Sequence, residues 1–234
     1  KQMAYVNNNK FNNKCAKAYH FDATKFGLWL KEKKCQKVKH IIDDITSIEQ
    51  DENGIKSLNK KYTADLYIDC TGFKSLLLGE TLKEPFESYA DILPNNSAWA
   101  TRVPYEDKEK QLEPFTNCTA YNNGWIWNIP LWSRIGTGYV YSDKFISDEG
   151  ALEEFKKYLG KKDLEFKKIK MKVGIYKRLW VKNVVAIGLS AGFIEPLESN
   201  GLWSVHQFLM NLVRNIRRDK FSQWDKDSFT FMCK

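Results

Sequence analysis

Glu198, Ser199, Asn200 and Gly201 place a carboxylate, a hydroxyl, a carboxamide and a bare backbone at one point of the chain. A short apolar run, Val184-Val185-Ala186-Ile187-Gly188, precedes them. After them Leu202, Val205, His206, Leu209, Leu212, Val213 and Ile216 recur at helical spacing. The junction therefore reads as strand, loop and helix. A helix N-terminus has unpaired N–H groups and a partial positive charge, so it attracts anions. Gly201 lets a ligand come close to the backbone. An anion, or the polar edge of a cofactor, fits over residues 199–202. Glu198 then either caps the helix or reaches a substrate amine. A helix cap at Glu198 or Ser199 and a glycine turn explain the same residues without a ligand and are favoured on the residues alone, and both readings stay open at this level.

Two other patterns have chemical content. Trp125, Trp127 and Ile129 alternate with Ile126, Asn128 and Pro130, so on a strand the first three share a face. That face is either ordinary core packing or an aromatic wall between two compartments. Asp69-Cys70-Thr71-Gly72 ends a strand in a loop, a common place for a ligand in α/β folds. His20, His40 and His206 are isolated and read as structural or surface histidines. Cys15, Cys35, Cys70, Cys118 and Cys233 are odd in number and far apart, with no C-x-x-C and no His/Cys metal spacing. They read as reduced thiols of a cytoplasmic protein without a metal.

The elements that must position these residues are legible in outline. Asp22 caps a predicted helix from Ala23 to about Lys34, with Phe26, Leu28, Trp29 and Leu30 as its apolar surface. Residues 38–48 and 55–58 read as a hairpin around Asn53-Gly54, and residues 64–70 as a strand. Strands are predicted over 97–103, 115–121, 124–132 and 135–142, the last three joined by turns at 122–124 and 133–134, an antiparallel meander rich in aromatics. Asp148 caps a predicted helix to Leu159, and strands follow at 169–176 and 183–188. The 234 residues carry 37 basic against 29 acidic side chains, a net charge of +8 spread along the chain. The spread, without an Arg-rich stripe, argues against nucleic acid. The longest apolar run is too short and glycine-rich to span a bilayer.

Taken together, and in this order, the segments resemble the flavin-dependent tryptophan halogenase family. "YHFDATKFGLWL" (19–30), "ADLYIDCTGFKSLLLG" (64–79), "GWIWNIP" (124–130) and "RLWVKNVVAIGLSAGFIEPLESNGLW" (178–203) carry the likeness. The W-x-W-x-I-P match discriminates most. The resemblance implies a mixed α/β (α+β) fold: a discontinuous, flavin monooxygenase-like FAD-binding domain interrupted by an antiparallel substrate sheet. Residues 1–80 and 181–234 would belong to the first, and 81–180 to the second. It implies that reduced FAD, supplied by a separate flavin reductase, oxygen and chloride or bromide give hypohalous acid, which halogenates a small electron-rich aromatic such as an indole or tryptophan. Glu198 matches the family's catalytic glutamate and Ser199 the serine beside it. Asn200 and Gly201 match the halide-holding pair, where the family more often has Thr first. Leu189 and Leu202 match FAD-contacting positions, and Ile41 matches, more loosely, a residue near the adenine. Trp125 and Trp127 match the tryptophans that keep substrate from the flavin.

The G-x-G-x-x-G fingerprint is absent, and no lysine here matches the family's essential one. Both are expected before Lys1, so the chain reads as an internal fragment that does not hold FAD tightly or turn over alone. The competing readings are an aromatic FAD-dependent monooxygenase and a truncated, non-catalytic product.

Overall fold

The computed structural model describes residues 6–7, 10–11, 19–161, 163–216 and 221–234. For residues 6–7, 10–11 and 198 the backbone alone is described. The chain forms two compact units, Lys1–Ile42 with Ser97–Lys170, and Asp43–Asn96 with Met171–Lys234. The boundaries of these units fall after residues 42, 96 and 170.

The first unit is built on a five-stranded antiparallel sheet in the order Lys167–Lys170, Ser97–Val103, Ile135–Tyr141, Gly124–Pro130, Asn117–Tyr121. The expected meander forms its last three strands. Helix α1 (Ala23–Lys33) begins where expected, with the Asp22 carboxylate accepting from the Thr24 and Lys25 amides. Its apolar side chains are not buried: Phe26, Leu28 and Trp29 stay exposed among the described residues. Asp22 also pairs with Arg134 at 3.1 Å, which fixes the start of α1 to the sheet. His20 bridges the Pro130 carbonyl and the Thr116 hydroxyl, a structural role. A single helical turn, α2, spans Lys108–Gln111.

Helix α3 (Asp148–Leu159) covers one face of this sheet. Ile126, Tyr139, Tyr141, Ala151 and Phe155 form its fully buried core. Asp148 is not the cap that the sequence reading makes it. Ser147 caps, its hydroxyl accepting from the Gly150 amide at 3.1 Å. The Asp148 carboxylate is drawn to the sheet instead, where it accepts from the Tyr141 hydroxyl at 2.6 Å and pairs with Lys168. The buried Tyr139 hydroxyl likewise donates to Glu154 on α3 at 2.7 Å and accepts from the Asn123 amide at 3.0 Å. The side-chain amides of Asn122 and Asn123 also donate to Glu154, so the hairpin tip is tied to the helix. Each buried phenol thus has a charged partner, as a buried polar group requires.

The second unit holds the parallel pair Tyr67–Asp69 and Val184–Ala186, flanked by Trp180–Val181. A second small sheet runs Gly192–Phe193, Gly174–Tyr176, Phe86–Ser88. The strand expected over 169–176 is therefore two strands, Lys167–Lys170 in one unit and Gly174–Tyr176 in the other. The hairpin pairs Ile48–Asp51 with Gly54–Leu58, so its first strand lies after the expected 38–48 and shares only Ile48 with it. Residues 44–47 are held by a side chain instead of a ladder. Asn59 accepts from the Thr46 and Ser47 amides and donates to the Asp44 carbonyl. Asn183 exchanges two bonds with the backbone of Ile55, as a strand partner would, and docks the hairpin on the core. Buried Glu84 takes a bidentate pair from Arg178, Nε donating to Oε1 and the terminal NH2 group to Oε2. Helices α4 (Gly201–Asn215) and α5 (Gln223–Cys233) complete the unit. The stripe of α4 that is buried is Phe208, Asn211 and Leu212; Leu202, Leu209, Val213 and Ile216 of the expected face remain exposed. Among the described residues no helix is long and apolar enough to cross a membrane.

The Tyr139–Glu154 bond yields a stability test. Burial pushes the Glu154 carboxyl up, but hydrogen bonds from Tyr139, Asn122 and Asn123, with Lys157 nearby, outweigh it and hold the group below its ordinary 4.5. A carboxyl lowered by folding stabilises fully above its unfolded value and loses that contribution as pH falls through the folded one. Tyr139→Phe is expected to cost about 1–2 kcal/mol at neutral pH. Urea unfolding across a pH series should show the gap to wild type narrowing below pH 4.5.

Candidate active site

A cavity of 560 Å³ opens in the second unit, within the range of about 300–1,000 Å³ common for small-molecule and cofactor sites. It lies beyond the carboxyl end of Val184–Ala186, where open α/β sheets bind ligands. The turn Gly188–Ser190 forms one wall. Gly188 has φ +73°, and a Cβ there would meet a Val205 methyl of α4 at 3.2 Å. Only glycine therefore gives both the left-handed turn and the close approach of the helix. Leu189 and Leu202 line the cavity and are 41% and 61% exposed.

The loop into α4 is a series of tight local solutions. Glu195 caps the short turn Pro196–Glu198, accepting from the Leu197 amide at 2.8 Å and from the Asn95 side chain at 3.4 Å. Ser199 then takes φ +51° and turns the chain left-handed. Asn200 is the N-cap residue of α4, so neither Glu198 nor Ser199 caps that helix. The Asn200 side chain makes no capping bond, while its carbonyl accepts from Ser204. The first amides of α4 thus lack a capping side chain, and Asn200 and Gly201 both line the cavity. The space where a Gly201 Cβ would lie has no atom within 4 Å.

Leu189, Asn200, Gly201 and Leu202 are brought together around one cavity. Glu198 and Ser199 lie on the backbone immediately before it. Ile41 is exposed in the first unit and is not among the lining residues. Trp125 and Trp127 are in the first unit too, on the sheet face turned away from the α3 core that Ile126 joins. Both are half-buried, with ring centroids 6.1 Å apart. Trp127 pairs with Gly138 across the sheet, and a Cβ at Gly138 would lie 2.2 Å from its ring. The second tryptophan therefore needs a glycine opposite it to lie as it does.

The loop after Asp69 holds residues that the sequence reading underuses. The Asp69 carboxylate is 1% exposed and accepts from Thr71 at both its amide and hydroxyl, and from the Leu77 and Leu78 amides. Its position at a strand end before Thr-Gly was the available signal.

The model of the tryptophan halogenase family matches residues 1–233. The chain belongs to the tryptophan halogenase family. Among family relatives, the tryptophan 6-halogenase SttH of Streptomyces toxytricini is 41% identical over 206 residues, which are 85% of this chain and 39% of SttH. The tryptophan 7-halogenase RebH of Lentzea aerocolonigenes is 40% identical over 207 residues, 85% of this chain and 39% of RebH. The chain thus spans about two fifths of the length of these curated relatives. Of solved structures, SttH superposes with a TM-score of 0.86 at 37% identity, over 91% of this chain and 43% of that one. BrvH, a flavin-dependent halogenase from Brevundimonas sp. BAL3, gives 0.81 at 34% identity, over 91% and 44%. The mixed α/β fold with antiparallel sheets is that of the family's flavin-dependent halogenases.

Gly138→Ala is expected to displace the Trp127 ring and to cost about 1–3 kcal/mol by overpacking. Near-ultraviolet circular dichroism and thermal unfolding of the variant check both effects.

Proposed function

We propose that this protein is a flavin-dependent halogenase that uses reduced FAD, oxygen and chloride or bromide to halogenate an electron-rich aromatic such as an indole or tryptophan. The reading is carried by the convergence of Leu189, Asn200, Gly201 and Leu202 on one cavity in a chain of this family. The cavity suits the flat ring of a flavin, because Ile175, Leu189, Phe193 and Trp203 line it beside the bare backbone of Gly188 and Gly201. Leu189 and Leu202 would hold the FAD. When bound in reduced form, supplied by a separate reductase, FAD would supply the oxygen activation by which halide is oxidised to an electrophile.

The chain's own residues then hold and direct. The backbone amides of Asn200 and Gly201, at the positive end of α4, retain the halide. Asn200 in place of the family's more frequent Thr keeps that backbone donor. Glu198 orients the halogenating species toward the arene, and Ser199 links the flavin and substrate sites. Trp125 and Trp127 separate substrate from flavin and so disfavour direct oxygenation. The protein is placed in the cytoplasm, with its cysteines as thiols.

The test supplies the whole protein that the gene encodes with FAD, a flavin reductase, oxygen and bromide, and offers a panel of indoles and phenols. Mass spectrometry should show bromide's isotope doublet only when both flavin and bromide are present. Hydroxylated product without bromine would reassign the site to an aromatic monooxygenase. Glu198→Gln should keep flavin oxidation and lower halogenation at least about 100-fold. Wild-type halogenation by that variant would remove Glu198 from its role.

A further inference from the structure

Asp69 binds two loops with two different parts of itself. Its main-chain carbonyl accepts from the Ile187 amide at 3.0 Å and from the Ser190 hydroxyl, so it anchors the turn that forms the cavity wall. Its carboxylate anchors the loop of residues 71–78. One oxygen accepts from the Thr71 amide at 3.0 Å and hydroxyl at 2.6 Å, the other from the Leu77 amide at 2.8 Å and the Leu78 amide at 3.0 Å. The Thr71 hydroxyl in turn accepts from the Leu76 amide at 2.7 Å.

The two loops are also joined directly. The buried Ser75 hydroxyl donates to the Ser190 carbonyl at 2.8 Å. Phe73 meets Phe193, a cavity-lining residue, edge to face at 5.5 Å. The loop of residues 71–78 therefore backs the wall made by residues 188–193, and the Asp69 carboxylate holds that backing in place.

We propose that Asp69 is a positioning residue for the cofactor cavity, which it serves without touching the ligand: its carboxylate sets the 71–78 loop, and through Ser75 and Phe73 that loop sets the 188–193 wall. The proposal rests on the flavin reading of the cavity. The carboxylate is matched to its partners, because four donors converge on two oxygens. In Asp69→Asn one oxygen becomes an NH₂ group, so one pair of donors faces another donor. Thr71→Val removes the hydroxyl at an exposed position and weakens the same loop more gently, while Thr71→Ser keeps it.

Two measurements on the whole protein that the gene encodes decide it: hydrogen–deuterium exchange along the chain, and titration with FAD followed by flavin fluorescence. Asp69→Asn and Thr71→Val are expected to speed exchange at residues 76–78 and at 188–192 at least about tenfold, with the α3 amides unchanged. FAD affinity should fall about tenfold or more in both variants, and Thr71→Ser should restore both readouts. Faster exchange confined to residues 76–78, with 188–192 as protected as in wild type, would overturn the proposal. So would wild-type FAD affinity in Asp69→Asn. If the wild-type protein does not bind FAD, the flavin reading of the cavity falls, and exchange at 188–192 alone judges Asp69.

Discussion

The parallel pairing of Tyr67–Asp69 with Val184–Ala186 is the contact on which the second unit depends. Parallel strands cannot be joined by a tight turn, so the chain must make a long excursion between them. Here the excursion includes Ser97–Lys170, which folds into a sheet of its own. Once the strands pair, their carboxyl ends lie side by side, and the loops that leave them must share one space. One loop is residues 71–78 and the other is the Gly188–Ser190 turn. Asp69 and Ser190, 121 residues apart, meet there through buried hydrogen bonds. The cavity follows from this pairing, since α4 packs over the second loop at Gly188.

The first unit solves a different problem. Its sheet faces α3 with large aromatic side chains, two of which carry buried hydroxyls. Burial costs a phenol its water, and each is repaid by a carboxylate of α3. Burial raises the pKa of both Tyr139 and Tyr141, and the adjacent carboxylates raise it further, so both remain neutral donors. The edge strand Lys167–Lys170 carries three lysines, of which Lys168 and Lys170 reach Asp148 and Asp143. Charge on an edge strand discourages pairing with a further chain.

Local signals in the sequence were reliable where one residue decides one backbone state. Asp22 before an amphipathic run starts α1, and the Asn122-Asn123 turn sets the hairpin. The Gly201 start of α4 is equally local. They failed where a side chain had competing partners. Asp148 has the composition of a cap, yet Tyr141 and Lys168 claim its carboxylate and Ser147 caps instead. Residues 44–47 have no sheet partner because Asn59 supplies their hydrogen bonds. Periodicity marks the apolar stripe of α4, and only the neighbours decide which part of it is covered.

The sequence by itself determined the residue types of the strand-to-helix junction at 198–201, the aromatic meander and the family likeness, because these rest on short spacings and on the intrinsic preferences of Gly, Asn, Asp and the aromatics. Tertiary structure alone decided that Leu189, Asn200, Gly201 and Leu202 share a cavity. It alone gave Asp69 its four carboxylate bonds, and Trp127 a glycine to lie against. The physical reason is that burial and hydrogen-bond partnership are properties of pairs, and these pairs form only when segments far apart in the chain come together.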